Sequence, residues 1–265
     1  MDFDFFESGT GDGPALLFIP GSYSAHTAWR AVQASLTGSY RMITTSLPGY
    51  GGTPEIRDDR IDDLSAVTDF IAEVVARVGE PVHMIGHSYG GMNIYASVLT
   101  GAVSPESIVT FEGNPIYSRH ADTPYPWVQE TMEMKDGFEA AVLAGDPDAA
   151  GLIIDYWGAP GMFKSMPEPF AEFCRSKTFT NLLDWRQAFL FRPYFSEFAR
   201  LDKPCTVARG ALANQAIIDV SDEIVANAKN AVLHVEPGAG HFLISTHPAE
   251  CAALIDQHMA QFVEV

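Results

Sequence analysis

The segment Gly86-His87-Ser88-Tyr89-Gly90-Gly91 constrains the chain more than any other. It follows the apolar run Val82-His-Met-Ile85, which reads as a buried strand, and it precedes Met92–Leu99, which reads as a helix. A strand that turns into a helix within so few residues forces Ser88 into a strained backbone conformation. Side chains two positions away would clash there, and glycines at 86 and 90 remove the clash. The Ser88 hydroxyl is then held above a sheet end, with the N–H groups of the new helix directed toward it. A lone G-x-S-x-G recurs by chance; a strand before it and a helix after it give the motif chemical meaning.

The surrounding chain has the matching rhythm. Ala15–Ile19, Arg41–Thr45, Val82–Ile85, Ser107–Phe111, Cys205–Ala208 and Ala231–Val235 read as strands. Amphipathic stretches lie between most of them, as in a mostly parallel α/β sheet flanked by helices. One helical stripe carries Leu64, Val67, Ile71, Val74, Val75 and Val78, with Asp62 and Asp63 at its positive end. Another helix is expected around Ser221–Ala228, and a last one presents Cys251, Ile255, Met259 and Phe262. The rhythm breaks between Asn114 and Lys203, where aromatics, prolines and short helical stretches replace strands. The expected organisation is an α/β core, 1–113 plus 204–265, interrupted by a helical cap, 114–203.

Charge narrows the partners. The 16 Lys and Arg against 34 Asp and Glu give a net −18, which disfavours binding to a phosphate backbone or an anionic membrane surface. No apolar run reaches the ~18–20 residues of a membrane span. The acidic start, Met1-Asp2-Phe3-Asp4, is unlike a secretory signal, and the three cysteines (Cys174, Cys205, Cys251) show no pairing or metal-ligand spacing. The expectation is a cytoplasmic protein without metal or organic cofactor, acting on a small molecule; the oligomeric state is left open.

With these residues in place, the chain resembles an α/β-hydrolase with an inserted cap. Phe18-Ile19-Pro20-Gly21-Ser22 stands where that superfamily usually carries His-Gly; here Pro20 replaces the histidine, but the backbone after the glycine is the working part. The resemblance implies an oxyanion hole from the N–H groups of Ser22 and Tyr89. Removing one such donor typically costs about 3 kcal/mol of transition-state stabilisation. It also implies that His241, in Pro237-Gly-Ala-Gly-His241 after the last strand, is the base that activates Ser88. Of the other histidines, His83 and His87 fall in the buried strand and the turn, and His26, His120, His234, His247 and His258 read as surface or packing residues.

The acid is less plain. The family's usual segment after the seventh strand reads Arg209-Gly-Ala-Leu-Ala-Asn-Gln215 and holds no carboxylate. Glu112 instead ends the strand Ser107–Phe111, in Glu-x-x-Pro context similar to haloalkane dehalogenases whose acid follows the sixth strand. A glutamate there is costly to bury without a partner such as an imidazole N–H. Asp219 and Asp222, expected near a helix start, remain alternatives. The implied activity is hydrolysis of a small to medium apolar carboxylic ester through an acyl-enzyme on Ser88. Trp157, Tyr156 and Trp185 are expected to contact substrate, within a wider aromatic set of Trp127, Phe163, Phe189 and Phe191. Carbon–carbon bond hydrolysis of vinylogous diketones, and a ligand-binding relative without turnover, stay as alternatives.

Overall fold

Alternation along the strands divides the interior into two faces. In the computed structural model, which describes residues 2–58, 60–120 and 125–262, β1 (Phe6–Gly9), β2 (Ala15–Ile19) and β3 (Arg41–Thr44) open the chain. Between β2 and β3 lie a 3-10 turn, His26–Trp29, and α1 (Arg30–Ser35). Then come α2 (Ser65–Val78), β4 (Val82–His87), α3 (Tyr89–Leu99) and β5 (Ser107–Phe111). Leu17 and Ile19 of β2 join one hydrophobic cluster, while Leu16 and Phe18 join the other, as period-two alternation requires of a strand buried on both faces.

After β5 the chain is helical: α4 (Pro126–Leu143), α5 (Ala150–Trp157), α6 (Met162–Ser165), α7 (Glu168–Ser176), α8 (Thr178–Ala188) and a 3-10 helix, Phe195–Arg200. Trp127, Phe138 and Ile153 of this stretch belong to the same cluster as Leu17 and Ile19 of the sheet. Then β6 (Cys205–Gly210), α9 (Gln215–Asn227), β7 (Ala231–Glu236), α10 (Leu243–Thr246) and α11 (Pro248–Met259) complete the fold. The sheet order is β1-β3-β2-β4-β5-β6-β7, with β1 antiparallel and every other pairing parallel. No helix among the described residues is long and apolar enough to cross a membrane.

The structure adds one strand and corrects two local readings. β1 carries no apolar alternation, because all four of its residues are exposed at the sheet edge. α9 begins at Gln215, capped by the Asn214 side chain on the Ala216 N–H, so Asp219 and Asp222 sit inside the helix and not at its start. The Gly86-His87 pair is still strand, paired with Thr110 and Phe111.

Beneath the sheet, away from Ser88, a buried chain links His83 Nδ1 to Ser107 Oγ (2.7 Å), Ser107 Oγ to His258 Nε2 (2.8 Å) and His258 Nδ1 to Thr206 Oγ1 (2.8 Å). Burial, and then repulsion from His83, hold His258 down at about 4; burial lowers His83 as well. The unfolded chain protonates these rings near pH ~6.5, so below that pH it binds more protons than the folded protein. The stability they contribute is complete above pH ~6.5 and is lost as the pH falls toward 4. Melting followed by circular dichroism is expected to show a falling Tm between pH 6.5 and 5, with a shallower slope in His258→Gln; equal slopes would absolve His258.

Candidate active site

Parallel pairing brings the carboxyl ends of β4, β5 and β6 to one edge, where Phe111 is in register with both His87 and Ala208. Ser88 turns the chain there with φ 53° and ψ −125°, and its N–H donates to the Phe111 carbonyl (3.0 Å). A Cβ at Gly90 would lie 2.3 Å from the Pro20 carbonyl oxygen, and one at Gly86 would lie 2.8 Å from Gly91 Cα. Both contacts are impossible for a larger residue, which is the steric demand the motif implied.

Glu112 follows β5, fully buried and in the left-handed region at φ 49°. Its Oε1 accepts the Gly210 N–H (2.8 Å), and its Oε2 lies 2.7 Å from His241 Nδ1. A carboxylate only accepts, so Nδ1 carries the proton and Nε2 is left to accept from Ser88 Oγ at 3.0 Å. The structure thus brings Ser88, His241 and Glu112 into one hydrogen-bonded chain, although Ser88 and His241 are 153 positions apart. Asp219 accepts from Gln215 (2.7 Å) and Asp222 pairs with Arg209 (3.3 Å), both away from His241.

His241 needs help to reach Ser88. β7 lies three strands from β4, about 14 Å at the ~4.8 Å strand spacing, so the loop after β7 must run back across the sheet edge. Two bonds pin it: Leu212 N–H to the Ala239 carbonyl (2.8 Å), and His87 Nε2–H to the His241 carbonyl (2.8 Å). Burial, reinforced by His241, holds His87 down at about 3, so it stays neutral and keeps donating. The position of His87 in the turn implies packing or a structural hydrogen bond, and the partner of that bond, the backbone of the base, is visible only once the sheet is assembled. The indole of Trp157 stacks on the His241 ring, with centroids 5.3 Å apart and 27° between planes, and Trp185 lies parallel to it at 6.1 Å.

A cavity of about 420 Å³ opens beside these groups, within the ~300–1,000 Å³ usual for small-molecule sites. Its walls include Ile116, Ile153, Ile154, Phe173, Trp157 and Trp185, and no lysine or arginine lines it among the described residues. Ser22 and Tyr89 border it too, and Tyr89, as the first residue of α3, has an N–H without an intrahelical acceptor. Of the expected aromatics only Trp157 and Trp185 line the cavity. Tyr156, next to Trp157 on α5, is turned about a third of a turn away and its hydroxyl pairs with Thr131 (2.8 Å), which corrects its expected place against substrate. Trp127, Phe163, Phe189 and Phe191 do not border the cavity, whereas Tyr117, Phe170 and Phe173 do; no periodicity separates the two sets. Among the described residues, no group of three or more His, Cys, Asp or Glu side chains is placed to hold a metal ion.

Comparison with known proteins agrees with the fold. A pimeloyl-[acyl-carrier protein] methyl ester esterase of Nitrosomonas europaea is 28% identical over 47% of this chain and 47% of its own length. A fluoroacetate dehalogenase of a Burkholderia species is 26% identical over 62% of this chain and 57% of its own. The chain therefore spans about half the length of these curated relatives. MGS-M2, an alpha/beta hydrolase enzyme from a Medee basin deep-sea metagenome library, superposes with a TM-score of 0.81 at 13% identity, covering 100% of this chain and 96% of that one. The sequence model of the alpha/beta hydrolase family matches residues 16–254, from β2 into α11 and so through every segment that builds the site. With its sheet order, its strained Ser88 turn and that match, the chain belongs to the alpha/beta hydrolase family.

Proposed function

We propose that the protein is a serine hydrolase that cleaves a small to medium apolar carboxylic ester. The observation that carries this reading is the bonded chain from Glu112 through His241 to Ser88 at the wall of an apolar cavity. In it, His241 Nε2 takes the Ser88 proton as Oγ attacks the ester carbonyl. The Ser22 and Tyr89 N–H groups receive the oxyanion, and His241 then protonates the departing alcohol. Water, deprotonated by the same nitrogen, releases the acid and restores Ser88. Glu112 keeps the proton on Nδ1 and stabilises the imidazolium. The segment 114–203 acts as a cap that roofs the reaction.

The names of the relatives divide between an ester and a carbon–halogen substrate, and the nucleophile favours the ester. Displacing a halide with a serine alkoxide would leave an alkyl ether, which has no carbonyl for water to attack. Among the described residues the cavity also offers no lysine or arginine for an anionic substrate. The three cysteines are free and buried, which suits the reducing cytoplasm proposed as its setting.

A panel of p-nitrophenyl esters with acyl chains of two to about twelve carbons tests the reading, with an optimum expected at short to medium length. No turnover of any ester, or turnover of vinylogous diketones well above it, would overturn it. Within the panel, Trp157→Ala should lower kcat about 3- to 30-fold, because the indole face meets a ring that becomes cationic, worth ~0.5–2 kcal/mol. Trp157→Phe should retain more activity than Trp157→Ala; equal activity in both would show that the ring does not act on His241.

A further inference from the structure

Asp184 sits within α8, 2% exposed, and receives four donors. Ser22 Oγ, Tyr50 OH and Arg57 Nη1 each lie 2.6 Å from its carboxylate, and Asn181 Nδ2 lies at 3.3 Å. Arg57 is also buried; its other nitrogens bind Glu55 (2.8 and 2.9 Å) and the Pro48 carbonyl (3.1 Å). Arg57 Nη1 also reaches the Tyr89 hydroxyl at 3.3 Å, and that hydroxyl donates to Gln187 Oε1 at 3.0 Å, one turn beyond Asp184 on α8. So Ser22 and Tyr89, the two residues assigned to the oxyanion, are each tied by their side chains to the same helix of segment 114–203.

Stability alone is a weak reason for such a cluster. Buried ion pairs are often no more stabilising than well-packed apolar residues of the same volume; their better-attested use is to fix one arrangement. The arrangement here needs fixing. Tyr23, directly after Ser22, is held at φ 54°, a region that a non-glycine residue keeps only when its surroundings enforce it. The Ser24 hydroxyl closes the same loop on the Gly21 carbonyl (2.6 Å), but the bond from Ser22 to Asp184 ties it to α8.

We propose that Asp184 is a positioning residue for the oxyanion hole: through the Ser22 hydroxyl it holds the loop after β2 so that the Ser22 N–H meets the charge forming on the substrate, with Arg57 compensating the buried carboxylate. Seating of α8 and competence of the oxyanion hole are thereby one event. This rests on the serine hydrolase reading above.

Ser22→Ala is the decisive variant, because it keeps the backbone N–H and three of the four donors to Asp184. It is compared with Asp184→Asn and with the double variant, on a p-nitrophenyl ester and on a trifluoromethyl ketone of the same chain length. A displacement of about 1 Å in a catalytic donor can cost on the order of 100-fold. The expected result is a kcat reduced about 10- to 100-fold in each single variant, with KM changed less than about threefold and trifluoromethyl ketone affinity reduced in parallel with kcat. The double variant should be no slower than Asp184→Asn alone, since both changes cut the same tie. A folded Ser22→Ala with wild-type kcat, losses confined to KM, or losses that multiply in the double variant would overturn the proposal. A wild-type protein that a fluorophosphonate does not label at Ser88 would overturn the hydrolase reading and this proposal with it.

Discussion

Ser88→Ala is expected to lower kcat for the preferred ester about 10⁵- to 10⁶-fold, with KM nearly unchanged. The magnitude follows from the way such residues act: without a nucleophile no acyl-enzyme forms, and His241 has no proton to take, so losing one member costs nearly as much as losing the set. The cavity and the N–H groups of Ser22 and Tyr89 stay in place, so a residual rate about 10³- to 10⁴-fold above the uncatalysed one should survive. The substitution removes one oxygen from a buried position and keeps the Cβ, so the strain at φ 53° is unchanged and Tm should change little. Steady-state kinetics with a thermal melt decide the matter. A Ser88→Ala protein that keeps more than about 1% of wild-type kcat would move the chemistry to another residue.

Glu112→Gln carries the second large effect, an expected drop in kcat of about 10³- to 10⁴-fold, comparable with what the wrong histidine tautomer costs in a related triad. Glu112 presents an oxygen to Gly210 N–H and another to His241 Nδ1. Glutamine has one oxygen for these two donors. If the oxygen serves Gly210, the amide NH₂ faces Nδ1 and drives the imidazole proton to Nε2, where it can no longer accept from Ser88. If the oxygen serves His241, the Gly210 N–H is left buried against an NH₂. Either arrangement also lacks the negative charge that stabilises the imidazolium. Asp219→Asn and Asp222→Asn change groups bonded to Gln215 and Arg209, and their kcat should stay within about twofold of wild type. A fast glutamine variant, or a slow Asp219→Asn, would reverse the assignment of the acid.

Why some of this was legible in the sequence and some was not has a physical basis. Strands buried on both faces leave continuous apolar runs, so β2, β4 and β5 stood out, while edge strand β1 buries nothing and left no pattern. The Ser88 turn was legible because its sterics demand particular residues at particular spacings. Glu112 was singled out because a carboxylate closing a buried strand needs a partner. The start of α9 was misplaced because its cap, Asn214, is an ordinary loop residue until its side chain meets the Ala216 N–H. The tie from Ser22 to Asp184 left no trace at all, since the two are 162 positions apart and a lone aspartate in an amphipathic stretch looks like surface. Tyr156 and Trp157 are neighbours in sequence with different destinations, one against Thr131 and one over His241, which only the packing of α5 decides.

The central claim is that Ser88 is a nucleophile activated by His241, and covalent labelling tests it most directly. The native protein, treated with a fluorophosphonate and analysed by peptide mass spectrometry, should carry one adduct on the peptide containing Ser88, with ester turnover lost in step. No adduct on that peptide, or an adduct elsewhere while ester turnover continues, would contradict it.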